Sequence, residues 1–179
     1  CLVVTRKNVP MLNELVDILK KIPNMTSICL NINNERTNRI MGDKVISLYG
    51  PGYIEDMIGD VHFRISPLSF YQVNPIQTEK LYGTALEYAG ISEDETVWDM
   101  YCGIGTISLF LAKKAGKVLG VEIVPEAIKD AKINAEINGT DNVTFVCGAA
   151  EDVAEAVTHD AAFSGLSSPS VVVLDPPRK

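Results

Sequence analysis

Apolar residues are spaced in two different ways along this chain. Over residues 1–65 they fall in short runs: Leu2-Val3-Val4, Ser27 to Ile32, Lys44 to Tyr49 and Asp60 to Ile65 all read as strands. Between the first two runs, Met11, Leu12, Leu15, Ile18 and Leu19 recur at helical spacing as far as Pro23. Gly50-Pro51-Gly52 marks a turn. Residues 1–65 therefore read as a small α+β unit and not as a parallel sheet.

From Asn74 onward, apolar strand runs alternate with helical periods. Asn74-Pro75 opens a helix, with an Asn cap and Pro at the first helical position. Leu81, Ala85, Leu86 and Ala89 form its inward face, and Gly90 ends it. Strands are predicted over 96–101, 117–123, 142–147 and 171–175, and helices over 106–115, 125–138 and 149–157. Gly139 closes the middle helix, and residues 158–170 have loop composition. Regular alternation of this kind calls for βαβ units and a parallel, Rossmann-like α/β sheet.

The chemistry concentrates in Trp98-Asp99-Met100-Tyr101-Cys102-Gly103-Ile104-Gly105-Thr106. A strand delivers the chain to a Gly-x-Gly turn, and a helix starts at once. Two glycines allow a tight turn and let a ligand come close to the backbone. Asp99 precedes the turn, and Glu122 ends the next strand, where an acid can accept hydrogen bonds from a ribose diol. A dinucleotide loop would have glycine where Ser108 stands, and no Gly-Lys-Ser/Thr follows, which excludes a nucleoside-triphosphate loop. Acids around the turn repel pyrophosphate but suit a sulfonium and an α-amino group, so S-adenosylmethionine fits. The last strand runs into Asp175-Pro176-Pro177-Arg178, a rigid turn that places Asp175 at the same carboxyl rim.

Composition limits the alternatives. The chain has 179 residues, long enough for one domain or for one domain and part of another. With 46% hydrophobic and 22% charged residues it is a globular sequence. Its 23 acidic and 16 basic side chains leave a charge of −7, which argues against a stand-alone nucleic-acid binder. Cys1, Cys29, Cys102 and Cys147 are dispersed, and His62 and His159 are isolated, so no metal site is expected. No run approaches the ~18 apolar residues of a membrane span, and a cytoplasmic protein is expected. The first residues read as mid-strand, and the last stop just after a functional turn, the pattern expected of an internal fragment.

The stretches FRISPLSFYQVNP, WDMYCGIGTISLFLA, GVEIVPEAI and VVVLDPPRK, in that order, resemble the RNA (uracil-5-)-methyltransferase family, which forms 5-methyluridine. The likeness covers Arg64 to Lys179 and is strongest to bacterial members acting on ribosomal RNA; NINNERTNRIMG resembles the family's central domain. It implies a central α+β domain over 1–65 and the N-terminal half of a methyltransferase domain over 66–179. It further implies S-adenosylmethionine as cofactor, contacted by Gln72, Tyr101, Gly103, Gly105, Glu122 and Asp175, and an RNA substrate, ribosomal before transfer RNA. Where the family often carries Gly-Asp-Ala-Glu, this chain has Ala149 in place of the acid, which leaves the adenine contact to backbone groups or Glu151.

The resemblance also implies a cysteine nucleophile in a Ser-Cys-Asn-Pro segment. That segment is absent from the 179 residues and is expected beyond Lys179, so the fragment itself is expected to be inactive. Uracil C5 needs such a thiolate, because only after addition at C6 is it nucleophilic enough to take a methyl group. Cys102 sits in the cofactor turn and is not a substitute. Two other readings stay open: an amino-directed adenine methyltransferase, which uses an Asp-Pro-Pro-aromatic motif where Arg178 stands here, and a non-catalytic nucleotide-binding module.

Overall fold

The computed structural model describes residues 1–176; Pro177, Arg178 and Lys179 lie outside the described residues. The chain folds as two compact units. One comprises residues 1–55 and 65–68, the other residues 56–64 and everything from Ser69 onward.

The first unit contains β1 (Leu2–Val4), α1 (Leu12–Leu19), β2 (Ile28–Ile32) and β3 (Lys44–Tyr49). β1 lies parallel to β2, with Leu2 opposite Leu30, whereas β2 and β3 are antiparallel. The sheet of this unit is thus mixed. A helix between two short strands lets the chain return in the same direction, and α1 makes that crossover. Of the apolar residues at helical spacing here, Leu12 and Leu19 are partly buried beside the buried Val16, while Met11 and Ile18 are 72% and 62% exposed. The buried Asn31 side chain exchanges two hydrogen bonds with the backbone of Gly42, each 2.7 Å, and closes the loop between β2 and β3.

β4 (Ile54–Ile58) pairs with β5 (Val61–Ile65) across Gly59-Asp60. The sequence pattern missed β4, because Glu55 and Asp56 interrupt its apolar run. In the second unit β6 (Thr96–Asp99), β7 (Lys117–Glu122), β8 (Val143–Cys147) and β9 (Val171–Val173) form a parallel sheet in the order β8-β7-β6-β9. Every adjacent pair is parallel. Four helices accompany it: α2 (Pro75–Ala89), α3 (Thr106–Leu111), α4 (Pro125–Ile137) and α5 (Ala150–His159).

Neighbouring side chains on a strand point to opposite faces, and both faces of this sheet are covered. On one face Trp98, Met100, Leu119 and Val121 pack with Val153 and Val157 of α5. On the other, Val97 and Val118 pack with Leu111 of α3 and with the partly buried Leu86 of α2. Of the face predicted for α2, Leu86 packs on the sheet and Ala85 and Ala89 are partly buried, but Leu81 is 58% exposed, and Thr78 and Tyr82 are the fully buried residues. The Tyr82 ring meets Phe110 edge-on, with ring centroids 5.3 Å apart, and its size draws that side of the helix inward. The strand order reverses between β6 and β9, so the carboxyl ends of these strands border the crevice where ligands bind in open parallel sheets.

Candidate functional site

The turn after β6 carries the site. Gly103 and Gly105 both have positive φ, 55° and 83°, the left-handed region that favours glycine. A Cβ on Gly103 would meet nothing within 4 Å, so this face of the turn opens outward. A Cβ on Gly105 would lie 2.9 Å from Phe145, so there the missing side chain permits packing instead. Tyr101, on the approach to the turn, is 38% exposed.

Glu122 ends β7 beside the turn. Its carboxylate accepts hydrogen bonds from the backbone N–H groups of Gly103 (3.2 Å) and Val124 (3.0 Å). Two donors orient it and leave acceptor capacity on both oxygens, because a carboxylate has about four lone-pair sites. Asp175 is exposed two residues beyond Val173, which lies opposite Asp99 in the sheet. The backbone N–H of Met100 donates to Val173 at 3.1 Å, so the β6 and β9 exits run side by side. The structure thus brings Tyr101, Gly103, Gly105, Glu122 and Asp175 to one rim. Gln72 is half-buried, three residues before Pro75, and its amide makes no hydrogen bond to another described residue.

Asp99 has a different place from the one its spacing suggests. It is fully buried beneath the turn, where the Ser108 hydroxyl donates to it at 2.7 Å. Burial pushes its carboxyl up to about 6, against the opposing hydrogen bond from Ser108. It therefore supports the turn rather than facing a ribose, and Ser108, which breaks the dinucleotide pattern, is its partner. Tyr82 and Thr106 were also missed by sequence reasoning: the Tyr82 hydroxyl donates to that of Thr106 at 3.1 Å, tying α2 to the start of α3. A polar residue among small ones on an apolar face was the available signal.

Cys102 is buried, and desolvation, with the charges of Asp99 and Glu122 adding to it, raises its thiol well above the ordinary range. A thiol held in its protonated form is a poor nucleophile. Among the described residues no group of three or more His, Cys, Asp or Glu could hold a metal ion, and no helix is long and apolar enough to cross a membrane.

The donor set discriminates among ligands. Among the described residues around the turn and the ends of β7, β8 and β9, 99–106, 122–124, 147–149 and 174–176 include no lysine or arginine; Arg178 and Lys179 lie outside the described residues. An open glycine face flanked by carboxylates fits a nucleoside with a cationic tail and disfavours a phosphate.

Fold and rim together define a Rossmann-like methyltransferase domain. The model of the tRNA (uracil-5-)-methyltransferase family matches residues 47–179, and the chain belongs to that family, whose cofactor is S-adenosylmethionine. A protein of Oceanobacillus iheyensis named as an uncharacterized RNA methyltransferase is 55% identical over 163 residues, covering 91% of this chain and 34% of its own. Another, from Clostridium acetobutylicum, is 51% identical over 99% of this chain and 38% of its own. The chain thus spans little more than a third of these relatives. Among solved structures, the Pyrococcus abyssi tRNA (uracil-54, C5)-methyltransferase in complex with S-adenosyl-L-homocysteine has a TM-score of 0.68 and 26% identity over 98% of this chain and 39% of that one. The tRNA m1G37 methyltransferase of M. jannaschii shares the fold, with a TM-score of 0.54 and 14% identity over 83% of this chain and 45% of that one.

Proposed function

We propose that this chain supplies the S-adenosylmethionine site of an enzyme that methylates uridine C5 in RNA. The observation that carries the proposal is the Glu122 carboxylate, held by the Gly103 N–H at an open glycine turn between acidic strand ends. In this reading the Gly103–Gly105 backbone lies against the cofactor and Glu122 accepts from the ribose hydroxyls. Tyr101 and Asp175 flank the sulfonium and amino end, and Gln72 adds an amide from the segment before α2. When bound, the cofactor supplies an electrophilic methyl group. The chain's own residues bind and orient it; attack at uracil C6 needs a thiolate, and Cys102, buried with its thiol raised well above the ordinary range, is not suited to supply it.

The RNA reading rests on family membership, and a ribosomal substrate on the resemblance noted above; a cytoplasmic site of action follows from such a substrate. The amino-directed reading turns on Arg178, which lies outside the described residues.

Titration calorimetry with S-adenosylhomocysteine tests the site. Wild type is expected to bind, and Glu122→Ala to bind about 10–100-fold more weakly, the effect of losing hydrogen bonds to a charged group. Equal affinity would remove Glu122 from the site. Incubation of the 179-residue chain with labelled cofactor and either 23S ribosomal or transfer RNA is expected to yield no 5-methyluridine. The full-length enzyme is expected to label the ribosomal RNA; labelling of transfer RNA alone would overturn that preference.

A further inference from the structure

Asp130 and Asn134 on α4 and Asn138, its C-cap, stand at i, i+4 and i+8, and so line up along one side of the helix. Asp130 and Asn134 are buried, 3% and 0% exposed. The face they make is polar, and it meets backbone. The Asn138 amide accepts from the His62 N–H at 2.9 Å and donates to the His62 carbonyl at 2.7 Å. One turn earlier Asn134 does the same with Arg64: its Oδ1 accepts from the N–H at 2.7 Å and its Nδ2 donates to the carbonyl at 3.2 Å. The two side chains thus substitute for a neighbouring strand along this edge of β5. Asp130 continues the row, accepting from the Ser69 hydroxyl at 2.9 Å, with its other oxygen 4.0 Å from Arg64 Nε.

Asn138 satisfies the strand edge and also donates from Nδ2 to the Asn134 carbonyl at 2.7 Å, but it does not reach the turn. Asn134 does more, because the same Nδ2 also donates to the carbonyl of Ile104 at 3.0 Å, and Ile104 is the residue between the two turn glycines. One buried amide therefore joins β5 to the centre of the glycine turn. The row also anchors the start of the segment bearing Gln72 at Ser69, and Asn74 fixes its far end by capping α2.

We propose that Asn134 is a positioning residue for the cofactor site: it holds the Ile104 carbonyl and, with its neighbour Asp130 anchored at Ser69, sets the glycine turn in register with the Gln72 segment. This rests on the cofactor reading above. Asn134 touches no cofactor and acts only through the turn.

Asn138 is the matched control, because it makes the same pair of strand hydrogen bonds without reaching the turn. Asn134→Ala and Asn138→Ala are compared in the 179-residue chain for thermal unfolding, S-adenosylhomocysteine affinity and amide hydrogen exchange. Both variants are expected to lower the unfolding temperature. Only Asn134→Ala is expected to weaken binding tenfold or more and to speed exchange at residues 103–106 by a similar factor, with Asn138→Ala within threefold of wild type in both. Equal changes in the two variants, or none at the turn in Asn134→Ala, would overturn the proposal. A second measurement needs no variant. In wild type, the ligand is expected to slow exchange at the Arg64 amide along with that of Gly105; protection confined to the turn counts against the coupling. Failure of wild type to bind the ligand would instead sink the cofactor reading, while exchange in the ligand-free variants still decides the role of Asn134.

Discussion

Gly103 and Gly105 share a positive φ and differ in what surrounds them. At Gly103 an alanine methyl would point into open space, so its cost to the fold is the left-handed backbone alone, about 1–2 kcal/mol. At Gly105 the same methyl would press on Phe145, adding steric strain to that backbone cost. Gly103→Ala is therefore expected to remain folded and lose S-adenosylhomocysteine binding. Gly105→Ala is expected to lose several degrees more in unfolding temperature than Gly103→Ala, as differential scanning fluorimetry would report. Reversed sensitivities would mean that the open face is not the ligand face. At this scale the glycines and Glu122 were legible in the sequence, because strand-to-turn-to-helix spacing is local. The burial of Asp99 was not, since its partner Ser108 lies on the following helix.

Helix α2 shows how far local rules reach. The Asn74 side chain accepts from the Gln77 N–H at 3.2 Å, and Pro75 occupies the first turn, as the Asn-Pro pair predicts. Asn74→Ala should cost about 1 kcal/mol of stability, measured by urea unfolding. An unchanged midpoint would show that the cap contributes nothing. Gly90 closes the same helix in the left-handed conformation, also as its position predicts. The helix and strand boundaries of the second unit follow the sequence closely, because periodicity and punctuation are properties of neighbouring residues. Which residues of α1 and α2 lie deepest followed only in part. Val16 and Tyr82 are inside while Ile18 and Leu81 are exposed, and that depends on the neighbours each helix meets. The parallel pairing of β1 with β2 was likewise invisible, for strand partners are chosen across a crossover.

For the molecule as a whole, Asp99 links stability to pH. Its carboxyl is raised from 3.8 to about 6 in the fold, so between those values the native state holds more protons than the unfolded chain. Stability contributed by the protonated acid is therefore present at pH 4 and lost as pH rises through 6. Replacing Asp99 by Asn removes this dependence. Relative to wild type, the variant should gain on the order of 2–3 kcal/mol between pH 4 and pH 7, read from urea midpoints at each pH. A pH-independent difference would count against burial as the cause. The charge of −7, which argued against a stand-alone nucleic-acid binder, suits a chain whose proposed site is built from carboxylates. The sequence by itself determined the alternation of strands and helices, the two-glycine turn, the cap and the acids at the strand ends, because each depends on residues within a turn or two of one another. Only the tertiary structure decided the strand order with its reversal between β6 and β9, the bond from Gly103 to Glu122, and the reach of Asn134 to both Arg64 and Ile104. Those partners lie 19, 70 and 30 residues apart, and only packing of the sheet and helices brings their polar groups within bonding distance.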